Sequence, residues 1–283
     1  MEINFQHVNF KYDNKQNYDT LNDINLTISS KDEFITIVGH TGSGKSTLVQ
    51  LMNALIFPSS GNLTLFGQKI KSKRNKPLKK IRQKVGLVFQ FPEYQLFEET
   101  VLKDIMFGPQ NFGMSIDEAK ESALNIIKEL NISEEILERP PFNLSGGQKR
   151  KVAIAGILAS KPEILILDEP TVGLDPRGRK ELLTLLKKIH EETHKTIIII
   201  THDMNVVANY SKRTIVLNQG NIVFDGTPKD LFNNKNCLKE FNLDLPYISK
   251  VALKLQEKQL INFNKLPLTL EELHNMIKEY QNE

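Results

Sequence analysis

Apolar and polar residues alternate along the first thirty residues of the chain. Apolar side chains recur at every second position over residues 3–5, 8–12 and 24–28. A period of two is typical of strands that bury one face and expose the other. The pattern therefore predicts short, half-buried antiparallel strands at the start of the chain.

Three later segments, residues 34–38, 164–167 and 197–200, are apolar at nearly every position. Short continuous apolar runs are typical of parallel strands that are covered on both faces. Each run is followed by polar residues and then by a helical pattern, which indicates an α/β fold. Ligands of such folds collect at the carboxyl ends of the strands, so we expect the functional residues there.

The spacing of apolar residues becomes helical between Gln90 and Ser160. Ser115 and Glu118 form a capping-box pattern, which marks the start of one helix in this stretch. We therefore interpret residues 91–160, approximately, as an α-helical subdomain inserted between strands of the core.

A different pattern follows Phe232. Apolar residues form one stripe over residues 248–255, and residues 269–272 carry the polar pattern of a helix start. We therefore expect a main domain over residues 1–232 and a helical C-terminal segment over residues 233–283.

Length and composition exclude several classes of protein. The chain has 283 residues, of which 40% are hydrophobic and 25% charged, so wholesale disorder is excluded. Its single cysteine, Cys237, excludes an internal disulfide framework and suits a reducing compartment. Neither a signal-peptide pattern nor an apolar run long enough for a membrane helix is visible, so we expect a soluble, cytoplasmic chain.

Charge is unevenly distributed. The formal net charge of +3 is too small to indicate a nucleic-acid-binding protein. Residues 69–84 nevertheless contain nine basic residues and no acidic one. We favour a solvated loop between a β-hairpin and the strand that starts at Val85, while contact with anionic lipids or nucleic acid stays open.

A phosphate-binding loop follows the apolar run over residues 34–38. Its glycines allow backbone amides to turn towards phosphate oxygens, and the helix after it adds a partial positive charge. In this motif the lysine reaches the β and γ phosphates, and the serine hydroxyl is a magnesium ligand. The loop and the first helical residue after it comprise Gly39, His40, Thr41, Gly42, Ser43, Gly44, Lys45, Ser46 and Thr47.

This loop alone is compatible with kinases, GTPases, helicases and transport ATPases. A second candidate phosphate site is the segment Leu144-Ser145-Gly146-Gly147-Gln148, which precedes a helical run. Ser145 suits the cap position, and the two glycines expose amides at the helix start. The basic residues at 149–151 oppose the helix dipole, which favours an anion docking there; an ordinary serine-capped surface helix is the alternative.

Two acidic residues and a histidine complete the candidate chemistry. Asp168 and Glu169 end the apolar run over residues 164–167. Asp168 suits a magnesium ligand, and Glu169 suits a base that orients or deprotonates the attacking water. His202 follows the run over residues 197–200 and suits a donor to a γ-phosphate oxygen. A simple turn for the acids and a structural role for the histidine are the alternatives.

Together these residues resemble the motifs of ATP-binding cassette (ABC) ATPases. In order, they are similar to Walker A (39–46), the Q-loop (Gln90), the signature (144–148), Walker B (164–169), the D-loop (173–175) and the switch histidine. The resemblance implies an α/β P-loop ABC ATPase core with an antiparallel β subdomain, the inserted helical subdomain and the C-terminal appendage. It also implies hydrolysis of ATP with Mg²⁺ at a dimer interface.

The resemblance further implies roles for individual residues. Ser46, Gln90 and Asp168 would hold the metal, and Glu169, His202 and Gln90 would be catalytic. One group would act in trans, on ATP held by a second subunit: Ser145, Gly146, Gly147, Gln148 and Asp175. Tyr12 resembles the aromatic residue that stacks on adenine, although an ordinary strand aromatic would look the same.

A narrower similarity connects the chain with the ATPases of energy-coupling factor (ECF) transporters. It covers residues 88–101, 144–159 and 167–179, and His40 with residues 90–101 resembles the second of the two ATPase types. Such transporters import vitamins or metal ions. This likeness implies a peripheral protein on the cytoplasmic side of the cell membrane. Its partners would be a second ATPase subunit, making a heterodimer, a transmembrane coupling (T) subunit and a substrate-binding (S) subunit.

The same likeness implies a contact with the coupling subunit in a groove beside Gln90. Phe91, Tyr94 and Phe97 would form apolar walls, and acidic residues at 93, 98 and 99 would pair with a basic docking helix. Ordinary packing with a solvated acidic face is the alternative. The dedicated ATPase of a cobalt, nickel or other importer remains a second function.

Non-transport ABC proteins fit the sequence less well. The chain has one P-loop and one signature, whereas ribosome-acting relatives usually carry two cassettes. The segment between Gln90 and Ser145 is also too short for the long coiled coils of chromosome and repair proteins. A non-hydrolysing regulatory cassette is disfavoured because Lys45, Asp168, Glu169 and His202 are all present.

Overall fold

A computed structural model of the chain describes residues 2–13, 19–71, 78–263 and 265–282. Its strands are β1 Glu2–Phe10, β2 Leu21–Ser29, β3 Phe34–Val38, β4 Ser60–Leu65, β5 Gln68–Ile70, β6 Val85–Val88, β7 Ile164–Asp168, β8 Thr196–Ile200, β9 Arg213–Asn218 and β10 Asn221–Gly226. Its helices are α1 Lys45–Met52, α2 Lys79–Lys84, α3 Val101–Phe112, α4 Ile116–Glu129, α5 Gly146–Leu158, α6 Pro176–Thr193, α7 Met204–Tyr210, α8 Pro228–Asn233, α9 Lys235–Glu240, α10 Tyr247–Glu257 and α11 Leu270–Asn282. Short 3₁₀ turns lie at Pro92–Gln95, Glu134–Ile136 and Pro141–Asn143.

A six-stranded sheet with the order β10-β9-β3-β8-β7-β6 forms the centre of the molecule. All neighbours pair in parallel except β9 and β10, which form an antiparallel edge. Every residue of β3 and β8 is buried, as are the first four residues of β7. The prediction of parallel strands covered on both faces is confirmed.

A second sheet, antiparallel and four-stranded, has the order β2-β1-β4-β5. Its alternating burial confirms the antiparallel strands predicted from the period of two. The inner faces of β1 and β2 share one apolar core with α1 and one face of the central sheet. Helix α1 and the loop before it are therefore held between two sheets.

Helices α3, α4 and α5 lie between β6 and β7 in the chain, as the helical spacing predicted. They pack on the other face of the central sheet in a second core, to which Ile105, Ile127 and Leu158 contribute. The capping box at Ser115 and Glu118 is present at the start of α4. The limits of a subdomain over residues 91–160 stay a prediction.

The basic stretch over residues 69–84 differs from the loop expected for it. Residues 72–77 lie outside the described residues, but residues 79–84 form α2, so the loop interpretation is wrong for that part. The reason is local: Leu78 and Ile81, one helical turn apart, are both buried in the first core.

The C-terminal segment shares a core with the rest of the chain. Phe232, Leu238 and Leu268 are buried together with Val38 and Met204. A boundary after residue 232 would fall within α8, and the division into 1–232 and 233–283 stays a prediction. Within the described part of the chain, none of the helices is both long enough and apolar enough to cross a membrane.

Candidate active site

The candidate site forms at the carboxyl edge of the central sheet. Strands β3, β8 and β7 are neighbours and run in parallel, so the segments that follow them meet at one edge. The phosphate-binding loop follows β3, the two acidic residues end β7, and His202 follows β8. Sequence positions far apart are therefore brought into hydrogen-bonding distance.

Backbone geometry explains two glycines of the phosphate-binding loop. Gly39 has a φ of +146°, and a Cβ there would lie 2.1 Å from the carbonyl oxygen of Leu217. Gly44 has a φ of +103°, and its Cβ would meet the side chain of Leu21 at 2.7 Å. Any other residue would strain the backbone and collide with a neighbour. The loop is therefore tightly packed between β9 and the start of β2.

Lys45 is folded back onto the loop that precedes it. Its ammonium donates hydrogen bonds to the carbonyl oxygens of Gly39 (2.7 Å) and His40 (2.8 Å). Burial lowers the pKa of Lys45, while the nearby carboxylates of Glu169 and Asp168 act in the opposite direction. The ammonium is thus a partly desolvated cation held where a phosphate oxygen would replace the two carbonyl groups.

Ser46 and Asp168 bring two oxygen ligands together. The Ser46 hydroxyl donates a hydrogen bond of 2.8 Å to Oδ2 of Asp168. Burial raises the pKa of Asp168, against the lowering effects of this hydrogen bond and of the Lys45 charge. A partly desolvated carboxylate beside a hydroxyl fits a hard cation such as Mg²⁺. Among the described residues, no cluster of three or more His, Cys, Asp or Glu side chains is arranged to hold a metal.

Glu169 is shielded, whereas its partner His202 is not. The Glu169 side chain is 15% exposed and that of His202 is 73% exposed, and Nδ1 of His202 lies 3.0 Å from Oε1 of Glu169. The second carboxylate oxygen, Oε2, is buried and has no hydrogen-bond partner among the residues that the structure describes. An unpartnered buried acceptor beside the phosphate-binding loop is suited to receive a hydrogen bond from a water molecule.

Tyr12 and Gln90 border the same region. The Tyr12 ring is 59% exposed, and its hydroxyl lies 3.0 Å from Oγ1 of Thr47, the third residue of α1. Phe10 meets the ring edge-on at 4.8 Å between centroids. Gln90 is exposed just beyond β6, at the end of the strand next to β7.

The signature residues are built differently. Ser145 caps α5 in a box with Gln148, in which each side chain accepts a hydrogen bond from the other residue's amide. A Cβ at Gly146 or Gly147 would meet no atom of the described part of the chain within 4 Å. A cavity of about 240 Å³ beside this turn is lined by α5, α6 and Leu174, and no described residue of the phosphate-binding loop lines it. Asp175 caps α6 through a 2.8 Å hydrogen bond from the amide of Gly178.

Arg150 corrects two predictions. The basic turn after the signature was expected to face an anion from a partner, but Arg150 is buried and paired with Glu93 of the same chain. The prediction that Glu93 pairs with a docking helix is therefore wrong, because its carboxylate is already paired with Arg150. Arg150 lies one and two helical turns before Ile154 and Leu158, on the buried face of α5. That spacing was the signal in the sequence.

His40 has a partner that sequence reasoning missed. Its Nε2 donates to the carbonyl oxygen of Phe241 over 2.7 Å, in the segment between α9 and α10. A second link joins Asn205, in α7, to the amide of Tyr247 at 2.8 Å. The C-terminal segment thus touches the phosphate-binding loop and the region after His202.

Known proteins with similar sequences are nucleotide-binding subunits of transporters, as the geometry of this site would suit. The family model described as ABC transporter matches residues 21–172. The energy-coupling factor transporter ATP-binding protein EcfA2 of Streptococcus thermophilus is 49% identical over 274 residues, covering 96% of this chain and 97% of that protein. Its counterpart in Enterococcus faecalis is 48% identical over 281 residues, which cover 98% of this chain and 96% of that protein.

The chain belongs to the energy-coupling factor branch of the ABC transporter ATPases. As a member it is an ATP-hydrolysing subunit of a membrane transporter, which confirms the family and the activity predicted from the motifs.

Solved structures confirm the fold class. The structure of cbiO1 from Clostridium perfringens, part of the ABC transporter complex cbiONQ, superimposes on this ECF-type ATPase with a TM-score of 0.75. The two share 36% identity over 90% of this chain and 98% of that one. The dimeric structure of the ATP-binding cassette MJ0796 bound to ADP and phosphate superimposes with a TM-score of 0.71. The two share 32% identity over 80% of this chain and 98% of that one.

Proposed function

We propose that the chain binds Mg·ATP at the carboxyl edge of its central sheet and hydrolyses it when a second cassette closes over the γ-phosphate. The observation that carries this proposal is the convergence of Lys45, the Ser46–Asp168 pair and the Glu169–His202 pair at one edge. A cation, a metal-ligand pair and a base with an unpartnered oxygen are the groups that phosphoryl transfer to water requires.

Each part of the edge has its own task. The loop amides cradle the phosphates, Lys45 leaves its carbonyl partners for the β and γ phosphates, and Tyr12 covers the adenine. Mg²⁺ would be held by Ser46, Asp168 and Gln90, and it would neutralise charge that develops on the phosphates. Asp168, whose pKa is raised by burial, would regain in the metal a counter-charge for its ionised form.

Glu169 is the proposed base. Its unpartnered Oε2 accepts the hydrogen bond of the attacking water, while Oε1 stays with the ring of His202. The exposed ring of His202 is then close to the γ-phosphate and reports its loss.

The second half of the site comes from a partner. Gly146 and Gly147 present helix-start amides at the exposed start of α5, between the capping residues Ser145 and Gln148, and Asp175 lies at the start of the neighbouring α6. In the proposed arrangement this turn closes over ATP held by the second ATPase subunit, and that subunit's signature closes over the ATP held here.

The coupling subunit is proposed to dock beside Gln90. Tyr94 is 84% exposed, and Phe97 and Phe107 stack edge-on at 4.8 Å on the surface. A groove of about 250 Å³ is lined by Phe89, which directly precedes Gln90, and by residues of α3 and α5. Through this contact and the substrate-binding subunit, the ATPase would sit peripherally on the cytoplasmic face of the membrane and drive uptake of a vitamin or metal ion.

Replacement of Glu169 tests the hydrolytic assignment. Glu169→Gln should retain ATP binding, trap the closed dimer and slow turnover ~10²–10⁴-fold, because the base is lost and the shape is kept. Glu163→Gln, at the opposite end of β7, is the matched control and should turn over normally. Near-normal hydrolysis by Glu169→Gln would remove Glu169 from this role.

A pulldown tests the docking surface. Tyr94→Arg should abolish capture of the coupling subunit and spare ATP binding, whereas Phe142→Arg, at another exposed aromatic residue, should leave both intact. Retained capture by Tyr94→Arg would disprove the proposed surface.

The dedicated ATPase of a cobalt, nickel or other importer is the second candidate, favoured by the likeness to cbiO1. Copurification from membranes followed by mass spectrometry separates the two. Several alternative substrate-binding subunits would support the shared ECF module, and one constant set of partners would support the dedicated importer.

A further inference from the structure

Arg150 connects three segments of the chain from a buried position. Its side chain is only 5% exposed, and its Nε and Nη2 donate to the two carboxylate oxygens of Glu93 at 3.2 and 2.8 Å. Its Nη1 donates to the carbonyl oxygens of Pro170 (3.0 Å) and Val172 (2.7 Å). One guanidinium thus holds a carboxylate and two backbone carbonyl groups at once.

The three segments belong to different parts of the proposed cycle. Glu93 lies in the 3₁₀ turn Pro92–Gln95, next to the exposed Tyr94 of the docking surface. Arg150 itself lies in the second turn of α5, which starts with the signature glycines. Pro170 and Val172 lie one and three residues after the proposed base Glu169.

The chemistry of the pair makes these segments move together. A guanidinium is a rigid planar fork, so it satisfies a bidentate carboxylate and flanking carbonyls only in one arrangement. Separating two buried opposite charges is strongly unfavourable, because neither regains its water shell. A displacement of the 3₁₀ turn therefore displaces α5 and the loop after Glu169 as well.

We infer that Arg150 and Glu93 form a positioning pair that links the docking surface to both halves of the ATP site. Docking of the coupling subunit sets the place of the 3₁₀ turn, and the pair transmits that position to the signature turn and to the loop after Glu169. This inference rests on the proposed function, since it requires a coupling subunit that docks beside Gln90.

The test compares hydrolysis by the cassette dimer alone with hydrolysis after addition of the coupling subunit. Two variants interrupt the pair in different ways. Arg150→Lys keeps the charge but loses the fork, and the double variant Arg150→Met with Glu93→Leu replaces the pair by apolar side chains, so that no buried charge is left alone. The matched control is the double variant Lys84→Met with Glu163→Leu, which removes a part-exposed ion pair of 2.6 Å elsewhere.

In the wild-type dimer and the control, the coupling subunit should change the hydrolysis rate by about tenfold, a size typical of allosteric coupling. In both pair variants this change should vanish, while ATP affinity, pulldown of the coupling subunit and the basal rate stay within about twofold. Full coupling in either folded variant would overturn the inference.

Three further outcomes have separate meanings. If the basal and the coupled rate fall in parallel, the pair has only a structural role and the inference is wrong. If the wild-type chain neither captures the coupling subunit nor hydrolyses ATP, the proposed function itself fails. A wild-type dimer that captures the subunit without any change in rate would overturn the inference alone.

Discussion

The two halves of the ATP site, which motifs alone would treat as equals, differ in how far they are assembled. The phosphate-binding half is cross-linked within the chain, because Ser46 and Glu169 have partners from other segments and Lys45 is bonded back onto its own loop. The signature half is bonded mainly to itself, through the capping box of Ser145 and Gln148. Folding of the single chain therefore assembles the half that holds the charged groups, whereas the signature half is proposed to be completed by a second subunit.

The halves also differ in electrostatics. Burial perturbs two charges in the first half, lowering the pKa of Lys45 and raising that of Asp168. The signature turn instead offers neutral backbone amides in open space. Substitutions in the phosphate-binding half should therefore alter ATP binding by the single chain. Substitutions in the signature half should alter only the hydrolysis of ATP by the dimer.

The largest effect is expected at Lys45. Lys45→Ala should weaken ATP binding ~10²–10⁴-fold, because two charge-assisted hydrogen bonds to phosphate are lost. Isothermal titration calorimetry on the single chain measures it, with the exposed Lys31→Ala as the control. Binding within tenfold of wild type would contradict the assigned role.

The next effect distinguishes the halves. Gly146→Glu should leave ATP binding by the single chain unchanged and reduce hydrolysis by the dimer ~10²-fold, since a carboxylate would face the phosphate where amides should lie. Gly146→Ala has room for its methyl group and should behave nearly as wild type. Weakened binding to the isolated chain in the glutamate variant would remove the distinction between the halves.

A smaller effect concerns stability and its dependence on pH. Because burial raises the pKa of Asp168 in the folded chain, its ionised form destabilises the nucleotide-free protein. Asp168→Asn should therefore raise the melting temperature by about 1–3 °C at pH 7. The gain should shrink as the pH falls through the raised folded pKa and vanish near the unfolded value.

The asparagine variant should also lose the stabilisation that Mg·ATP gives to the wild type. Thermal melts with and without Mg·ATP across this pH range provide the measurement. A lower melting temperature for Asp168→Asn at pH 7 would contradict the role of burial at this carboxylate.

The smallest effect is expected at Tyr12. Tyr12→Phe removes the hydrogen bond to Thr47 but keeps the ring, so ATP affinity should change by less than about threefold. Tyr12→Ala should weaken it further, by about tenfold, through loss of stacking. Equal affinities for Tyr12→Ala and wild type would show that the ring does not cover adenine.

The features that could be predicted from the sequence are those determined by residues close together in the chain. The buried strands β3, β7 and β8 follow from continuous apolar runs, and the loop after β3 follows from a short local motif. Their convergence at one edge follows from the rules for parallel sheets. The family and the hydrolytic activity follow from the resemblance of the motifs, in their order and spacing, to those of ABC ATPases.

Pairings between distant segments could not be predicted in this way. Arg150 meets Glu93 across 57 positions, and His40 meets Phe241 across 201. No local period records such contacts, and an arginine or a glutamate is usually exposed. The sequence therefore predicts partners outside the chain for both Arg150 and Glu93, whereas in the structure the two pair with each other.

The place of β3 in the sheet has a consequence for biosynthesis. This wholly buried and mostly apolar strand is made early, yet its neighbours on either side are β8 and β9. A nascent chain therefore carries an unpaired, aggregation-prone segment until residue 213 and those after it have left the ribosome. We expect fragments that end before β8 to be insoluble and to depend on chaperones, however complete their nucleotide-binding loop.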